Sequence, residues 1–381
     1  MPPRPLPDNP NLEHLKHQAR ALQQRVRIAD PDALTLVREF DPRGVSETAG
    51  PSAYADFPLS QAQLVIAREY GFPGWRQLRE HLDIVAAYSR SPQPVDELPA
   101  GAAGDLAALA THFLNLACLT YTRDTPGRAD QASALLAAHP DLATATLHTM
   151  AAVGEIEGVR EVLARDPEQA QRAGGPFDWE PLLYLAYSRL GDTGPGRSAL
   201  EVARLLLAAG ADPNAGYLWR GMPSPFTALT GAFGGGEQDQ PPHPDSLALA
   251  RLLLEAGADP NDNQTLYNRM FTPVNDHLVL LFEFGLGTET ESPWRQRMGT
   301  RYPSPAQMLQ EQLRWAADHG MVDRVRLLLD HGVDPDGLGY HPIFGDRTAY
   351  QLAVGAGHHE IARLLADAGA ATTVDPEMGS R

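Results

Sequence analysis

Apolar residues recur along this chain at helical spacing, and each apolar stretch ends the same way. In ARLLLAAGADPN, from Ala203, Val202, Leu205, Leu206 and Ala209 fall at i, i+3, i+4 and i+7 and predict one buried stripe of a helix. Gly210 stands where the helix must stop, and Asp212-Pro213-Asn214 turns the chain. ARLLLEAGADPN, from Ala250, repeats the segment almost letter for letter, about 47 positions on. VRLLLDHGVDPD from Val325 and ARLLADAGA from Ala362 are weaker copies. One helix-plus-turn unit returning at such a spacing predicts a repeat architecture, whose units bury their apolar faces against one another.

Degraded units extend the pattern. Ala132 to Ala143 and Val159 to Ala170 carry the stripe with His-Pro or Asp-Pro at the stop, and Leu278 to Gly287 reads as a further second helix ending at Gly285. Leu313 to Gly320 reads as the first helix paired with the one at Val325. About seven units are expected between residues 102 and 371.

A shorter helical piece precedes each long helix, most clearly Thr348-Ala349-Tyr350-Gln351-Leu352-Ala353 before Gly357-His358. This resembles the ankyrin repeat, in which a short helix, a turn, a longer helix and a hairpin-like loop form one unit. Thr348 keeps the capping position and Gly357-His358 the link between helices, while Ala349, Tyr350 and Gln351 depart from the family's Thr-Pro-Leu-His opening. Thr227-Ala228-Leu229-Thr230 and Glu180-Pro181-Leu182-Leu183 are looser versions. The resemblance implies an all-α solenoid of helix-turn-helix units with long loops, and a backbone-bonding role for His358 between neighbouring units.

A different helical region comes first. Leu12, Leu15, Ala19, Leu22 and Val26 make one stripe, Asp32 to Phe40 a short second helix, and Leu59 to Tyr88 two helices broken at Gly71-Phe72-Pro73-Gly74. The expected organisation is a helical capping domain over 1–90, a proline-marked linker over 91–101, the repeat array over 102–371 and a disordered tail over 372–381. A Gly-Phe-Pro-x-Trp helical region ahead of degenerate units looks like a group of bacterial ankyrin-repeat proteins, a likeness that implies architecture and no activity. The helical pair could instead read DNA through Arg76, Gln77 and Arg79, but the region carries no basic face.

Charge sharpens the picture. The formal net charge is −17. Before position 91 there are 11 basic and 11 acidic residues, and beyond it 20 basic and 37 acidic, so the array carries the negative excess. Such a field repels nucleic acid and anionic lipid and favours a basic or neutral protein partner. The lone cysteine, Cys118, sits in an apolar stretch and reads as a buried small hydrophobe. With no apolar leader and no run near eighteen apolar residues, a soluble cytoplasmic protein is expected.

Searches for chemistry return little. No nucleophile elbow, phosphate loop, His-Glu-x-x-His or Cys-x-x-Cys is present. Asp259-x-Asn261-x-Asn263 fails as a calcium loop, since Gln264 and Met270 occupy positions needing Gly and Glu. Glu13, His14 and His17 share a helical face but read as solvated, and Gly231 to Gly236 reads as an inter-helix turn. No metal or cofactor is expected.

The array does carry extra length. Inserts between paired helices fall at Arg123 to Arg128, Gly191 to Arg197 and Gly234 to Pro244. Loops after the second helices are read as holding Tyr217-Leu218-Trp219-Arg220, Tyr267-Asn268-Arg269-Met270-Phe271 and Tyr340-His341-Pro342-Ile343-Phe344, and Trp294 lies in the connection from Thr288 to Pro305. Tyr, Trp and Arg dominate binding hot spots. Tyr217, Trp219, Arg220, Tyr267, Asn268, Arg269, Trp294 and Tyr340 are therefore the candidate partner-binding residues, with Phe271 and Phe344 expected to fold back onto the helices. A small molecule could alternatively enter an insert-roofed pocket lined by Tyr267, Asn268, Arg269, Trp294 and His277, as binder or enzyme, although no nucleophile with its base is evident.

Overall fold

The computed structural model describes residues 4, 6, 10–41, 54–93, 104–122, 124–191, 194–289 and 291–373. Most of the expected linker, Arg123 and the last residues of the expected tail lie outside this set. The fold is predominantly helical with a small β element. No described helix is long and apolar enough to cross a membrane. Two compact units form: Met1–Ser89 with Arg220–Met222, and Arg90–Trp219 with Pro223–Arg381.

In the first unit, α1 (Leu12–Arg27), α2 (Pro31–Phe40), α3 (Leu59–Glu69) and α4 (Trp75–Tyr88) share one core. The α1 stripe is buried at Leu15, Ala19, Leu22 and Val26. Asn11 and Asp30 cap the first two helices through their side chains. At the α3–α4 break Gly71 adopts φ +82°, which an L side chain resists, and Phe72 turns inward against His81. Trp75 packs on the same core, so the break is a helical hairpin closing on itself. On α4, Arg76 lies 3.6 Å from Glu80, and on α1 Lys16 takes up the Glu13 carboxylate.

The second unit, after a two-residue strand β1 (Ser89–Arg90), is a row of helix pairs. The pairs are α5 (Leu106–Ala117) with α6 (Arg128–Ala138), α7 (Leu147–Val153) with α8 (Ile156–Arg165), and α9 (Pro181–Tyr187) with α10 (Ala199–Ala208). A hairpin follows, β2 (Gly216–Trp219) antiparallel to β3 (Pro225–Thr227), with Tyr217 opposite Phe226. Then come α11 (Ala228–Phe233) with α12 (Ser246–Glu255) and α13 (Asn263–Arg269) with α14 (Asp276–Glu283). The single helix α15 (Pro293–Met298) precedes α16 (Pro305–Asp318) with α17 (Val322–Asp330) and α18 (Ala349–Gly355) with α19 (His359–Asp367). First helices pack in sequence from α5 through α7, α9, α11, α13 and α16 to α18. Among second helices, α8 meets α10, α10 meets α12, α12 meets α14 and α17 meets α19.

The recurring turn shows why its residues are repeated. Asn214 reaches from its own turn to the matching turn of the next pair: its Nδ2 donates to the Gly257 carbonyl at 3.0 Å and its Oδ1 accepts from the Asp259 amide at 2.8 Å. Asn261 does the same one pair on, donating to the Thr288 carbonyl and accepting from the Gly287 amide. Asp336, in the third copy, accepts from the Ala371 amide. Gly210, Gly257 and Gly332 hold φ of +99°, +101° and +75° at the helix stops. Thr146, Thr227, Thr348 and Ser304 open first helices with reciprocal capping boxes. A His358 ring nitrogen lies 3.1 Å from the Asp318 carbonyl of the preceding pair, the contact expected of that histidine.

Two readings of local structure need correction. Tyr217 to Trp219 form a strand instead of an irregular loop, with Tyr217 stacked on Trp179 and Phe226. Tyr267, Asn268 and Arg269 are not in a loop after a second helix; they lie on α13, the first helix of the following pair. Asp262 starts that helix immediately after the turn, its carboxylate accepting from the Thr265 amide at 2.8 Å.

Candidate partner-binding site

Helix α13 has almost no apolar stripe, so polar contacts hold it in place. Asp262 also accepts from the Thr227 hydroxyl, and its burial pushes the carboxyl up to about 6. Gln264 bonds Asn268 one turn on, and Gln312 of α16 donates to the Leu266 carbonyl at 3.0 Å. The C-terminal end is gripped by Arg324, whose side chain is wholly buried. Its guanidinium donates to the carbonyls of Met270, Arg269, Thr272 and Val274 and to Asn275 Oδ1. The Arg269 and Met270 carbonyls stand at the helix end, where intrahelical partners run out, and those of Thr272 and Val274 lie in the loop just beyond it. Burial lowers this guanidinium to about 10.

With α13 fixed, Tyr267 and Phe271 stand one turn apart, both half-buried. Their rings meet edge to face at 5.2 Å. Phe271 meets Trp315 of α16 in the same way at 5.1 Å, and His319 stacks flat on Trp315 at 3.9 Å. Trp315 is half-buried and His319 exposed, so four rings form a partly accessible row across two neighbouring first helices. At one end the Tyr267 hydroxyl donates to Glu237 Oε1 at 2.7 Å; burial, then this carboxylate, raise the phenol's pKa. At the other end Asp318 Oδ2 lies 3.5 Å from His319 Nδ1.

Beside the row, the loop between α17 and α18 is clamped to α16 and α13. Gln310 donates to the Asp334 carbonyl at 2.8 Å, Arg314 to the Gly345 carbonyl at 2.7 Å, and Tyr340 through its hydroxyl to Asn263 Oδ1 at 2.8 Å. Phe344 is buried, 6.2 Å from Trp315. Gly339 passes so near Glu311 that a Cβ would overlap the carboxylate. Glu311 is itself buried and its pKa raised by that burial, against the opposing pull of Arg314. Held this way, the loop turns Leu338 (43 % exposed), Tyr340 (36 %) and Ile343 (57 %) to solvent.

The sequence-derived candidates divide sharply. Tyr217, Asn268, Arg269 and Trp294 are buried, so they are corrected from surface anchors to scaffold residues. Tyr217 completes a ring cluster with Trp179, Tyr187 and Phe226. The Trp294 indole donates to the Asn214 carbonyl at 3.0 Å, which fastens the long connection to the turn ladder. Arg269 is paired with Asp276 at 2.9 Å, and the Asn268 carbonyl receives the Gly236 amide. Arg220 is exposed at φ +51° and groups with the first unit, apart from the row. Trp219 is half-buried, 6.4 Å from Phe226. Tyr267 and Tyr340 are the two candidates found at the row and its loop. Phe344 folds back as expected, but Phe271 does not bury fully, and Trp315, Leu338 and Ile343 were not singled out.

Two of the three inserts, at Asp124–Arg128 and Gln238–Pro241, line a cavity of about 350 Å³, within the range of small-ligand pockets. Its walls include Asp124, Arg128, Arg189, Gln238 and Gln240, and none of the five residues expected to line a pocket. His277 is completely buried elsewhere, its ring edge-on to Phe233. Three of the cavity's charged groups are engaged within the protein, although Asp124 Oδ2 and Arg189 Nε are buried without a hydrogen-bond partner among the described residues and the lining also includes the exposed Asp239. Asp124 pairs with Arg128 at 2.7 Å, and Arg189 donates to the carbonyls of Ala186, Ser188 and Gly231. Cys118 lies in the wall, but burial pushes its thiol up to about 12, which removes its nucleophilic form.

No protein-family model matches the chain, and no curated protein matches it in sequence.

Proposed function

We propose that the protein is an interaction module, an ankyrin-like stack of seven helix pairs that binds a segment of a protein partner along α13, α16 and the loop over them. The carrying observation is the aromatic row Tyr267–Phe271–Trp315–His319 beside a pinned loop that exposes Leu338 and Ile343. Rings with few rotors already fixed by neighbours lose little entropy on contact, the condition for binding anchors. The matching turns Asn214, Asn261 and Asp336, the threonine caps and the His358 contact support the repeat reading.

The test compares partner capture by the intact chain with capture by two variants. Ile343→Ser with Leu338→Ser alters exposed positions only, so the melting temperature should hold while a specifically captured protein is lost. Phe271→Leu with Trp315→Leu should lose the same protein. Undiminished capture by both variants would overturn the proposal.

A second reading, a small-molecule site between the inserts, is favoured by the cavity's size alone. A ligand there should raise the melting temperature of the intact chain but not that of Gln240→Trp, which fills the space.

A further inference from the structure

We propose that the row takes a basic side chain, an arginine or lysine with apolar neighbours, from the partner segment; this deepens the interaction-module reading and rests on it. Aromatic faces carry negative quadrupole potential and attract a cation brought within about 6 Å of a ring centroid. Tyr267, Phe271 and Trp315 supply three such rings in succession, each turned steeply to the next. Glu237 strengthens the first of them. By accepting the neutral phenol's hydrogen bond it polarises the O–H toward the ring oxygen, enriches the ring and adds its own charge at the row's edge. Asp318 places a second carboxylate at the opposite end.

Three neighbouring arginines are withdrawn from this surface. Arg269 is buried in its pair with Asp276, and Arg324 is buried among backbone carbonyls. Arg314 is buried under the loop, over the Phe344 ring. Beyond position 90 acidic residues outnumber basic ones 37 to 20, so the long-range field also draws a cation in. Leu338 and Ile343 offer apolar contact beside the rings for residues flanking the charge. Arginine fits best, because its planar guanidinium stacks on a ring while its fork meets a carboxylate.

The experiment is a nuclear magnetic resonance titration of the full chain, following the indole resonance of Trp315, assigned with Trp315→Phe. The probes are acetyl-Leu-Arg-Leu-amide and its neutral isostere with citrulline in place of arginine. Both should shift the Trp315 resonance, the arginine peptide binding roughly three- to fivefold tighter, the size of an exposed cation–ring contact. Glu237→Gln should shrink that ratio, and added salt should do the same. Equal affinity of the two peptides would overturn this inference while leaving an apolar partner-binding row in place. No shift of Trp315 by either peptide, up to millimolar concentration, would overturn both.

Discussion

Replacing Asn214 by Ala removes the side chain that ties one turn to the next. The residue is 8 % exposed and makes two bonds across the interface, to the Gly257 carbonyl and the Asp259 amide. Truncation leaves both backbone groups without these partners in a place water reaches poorly. At about 1–1.5 kcal/mol for each bond lost, the expected cost is roughly 2–3 kcal/mol. Asn214→Asp should cost at least as much as Ala, since it keeps the acceptor for the Asp259 amide but turns a buried carboxylate oxygen toward the Gly257 carbonyl. Asn214 and Asn261 are linked through Asp259, whose amide serves the first and whose carboxylate accepts from the second. The double variant Asn214→Ala with Asn261→Ala should therefore be non-additive, with a coupling of at least about 0.5 kcal/mol. The assay is urea denaturation followed by far-ultraviolet circular dichroism on all variants. A loss under about 0.5 kcal/mol for Asn214→Ala would refute the claim that these turns couple neighbouring pairs.

Arg324→Met keeps much of the buried volume but leaves four carbonyls and Asn275 without their donor; a loss of about 3–5 kcal/mol is expected in the same denaturation assay. Acid should weaken the fold through His277. Burial lowers this imidazole to about 4 in the folded chain, against about 6.5 when unfolded, so the unfolded state binds the extra proton between those values. Stability contributed by neutral His277 is complete above pH ~6.5 and falls as pH drops toward 4, by up to about 3 kcal/mol. His277→Phe keeps a ring against Phe233 and should move the acid-unfolding midpoint lower; an unchanged midpoint would exclude this histidine as a cause.

How much of this was legible follows from where the apolar stripes lie. Second helices such as Ala199–Ala208 and Ser246–Glu255 advertise themselves because one face is leucine-rich and a glycine stops each. Helix α13 does not. Asn263, Gln264, Thr265 and Asn268 are buried polar residues stabilised by partners far away in sequence, such as Thr227 with Asp262 and Gln312 with Leu266. No periodicity announces a helix held by hydrogen bonds, so the sequence around Tyr267 looks like a loop. Residue type flagged the aromatic positions but not their direction. Tyr217 and Trp294 turn inward because a ring cluster and the Asn214 carbonyl receive them. Trp315 stayed hidden within an apparently ordinary helix; its position off the stripe of Met308, Leu309, Leu313, Ala316 and Ala317 was the available signal.

Hydrogen exchange of the intact chain, free and with its captured partner bound, tests binding at the aromatic row most directly. Amides of α13, α16 and the loop from Asp334 to Arg347 should gain protection, while the cavity walls around Asp124 and Gln240 stay unchanged. Protection concentrated at those cavity walls, or in the helices between Leu12 and Tyr88, with none at Trp315 and its neighbours, would contradict it.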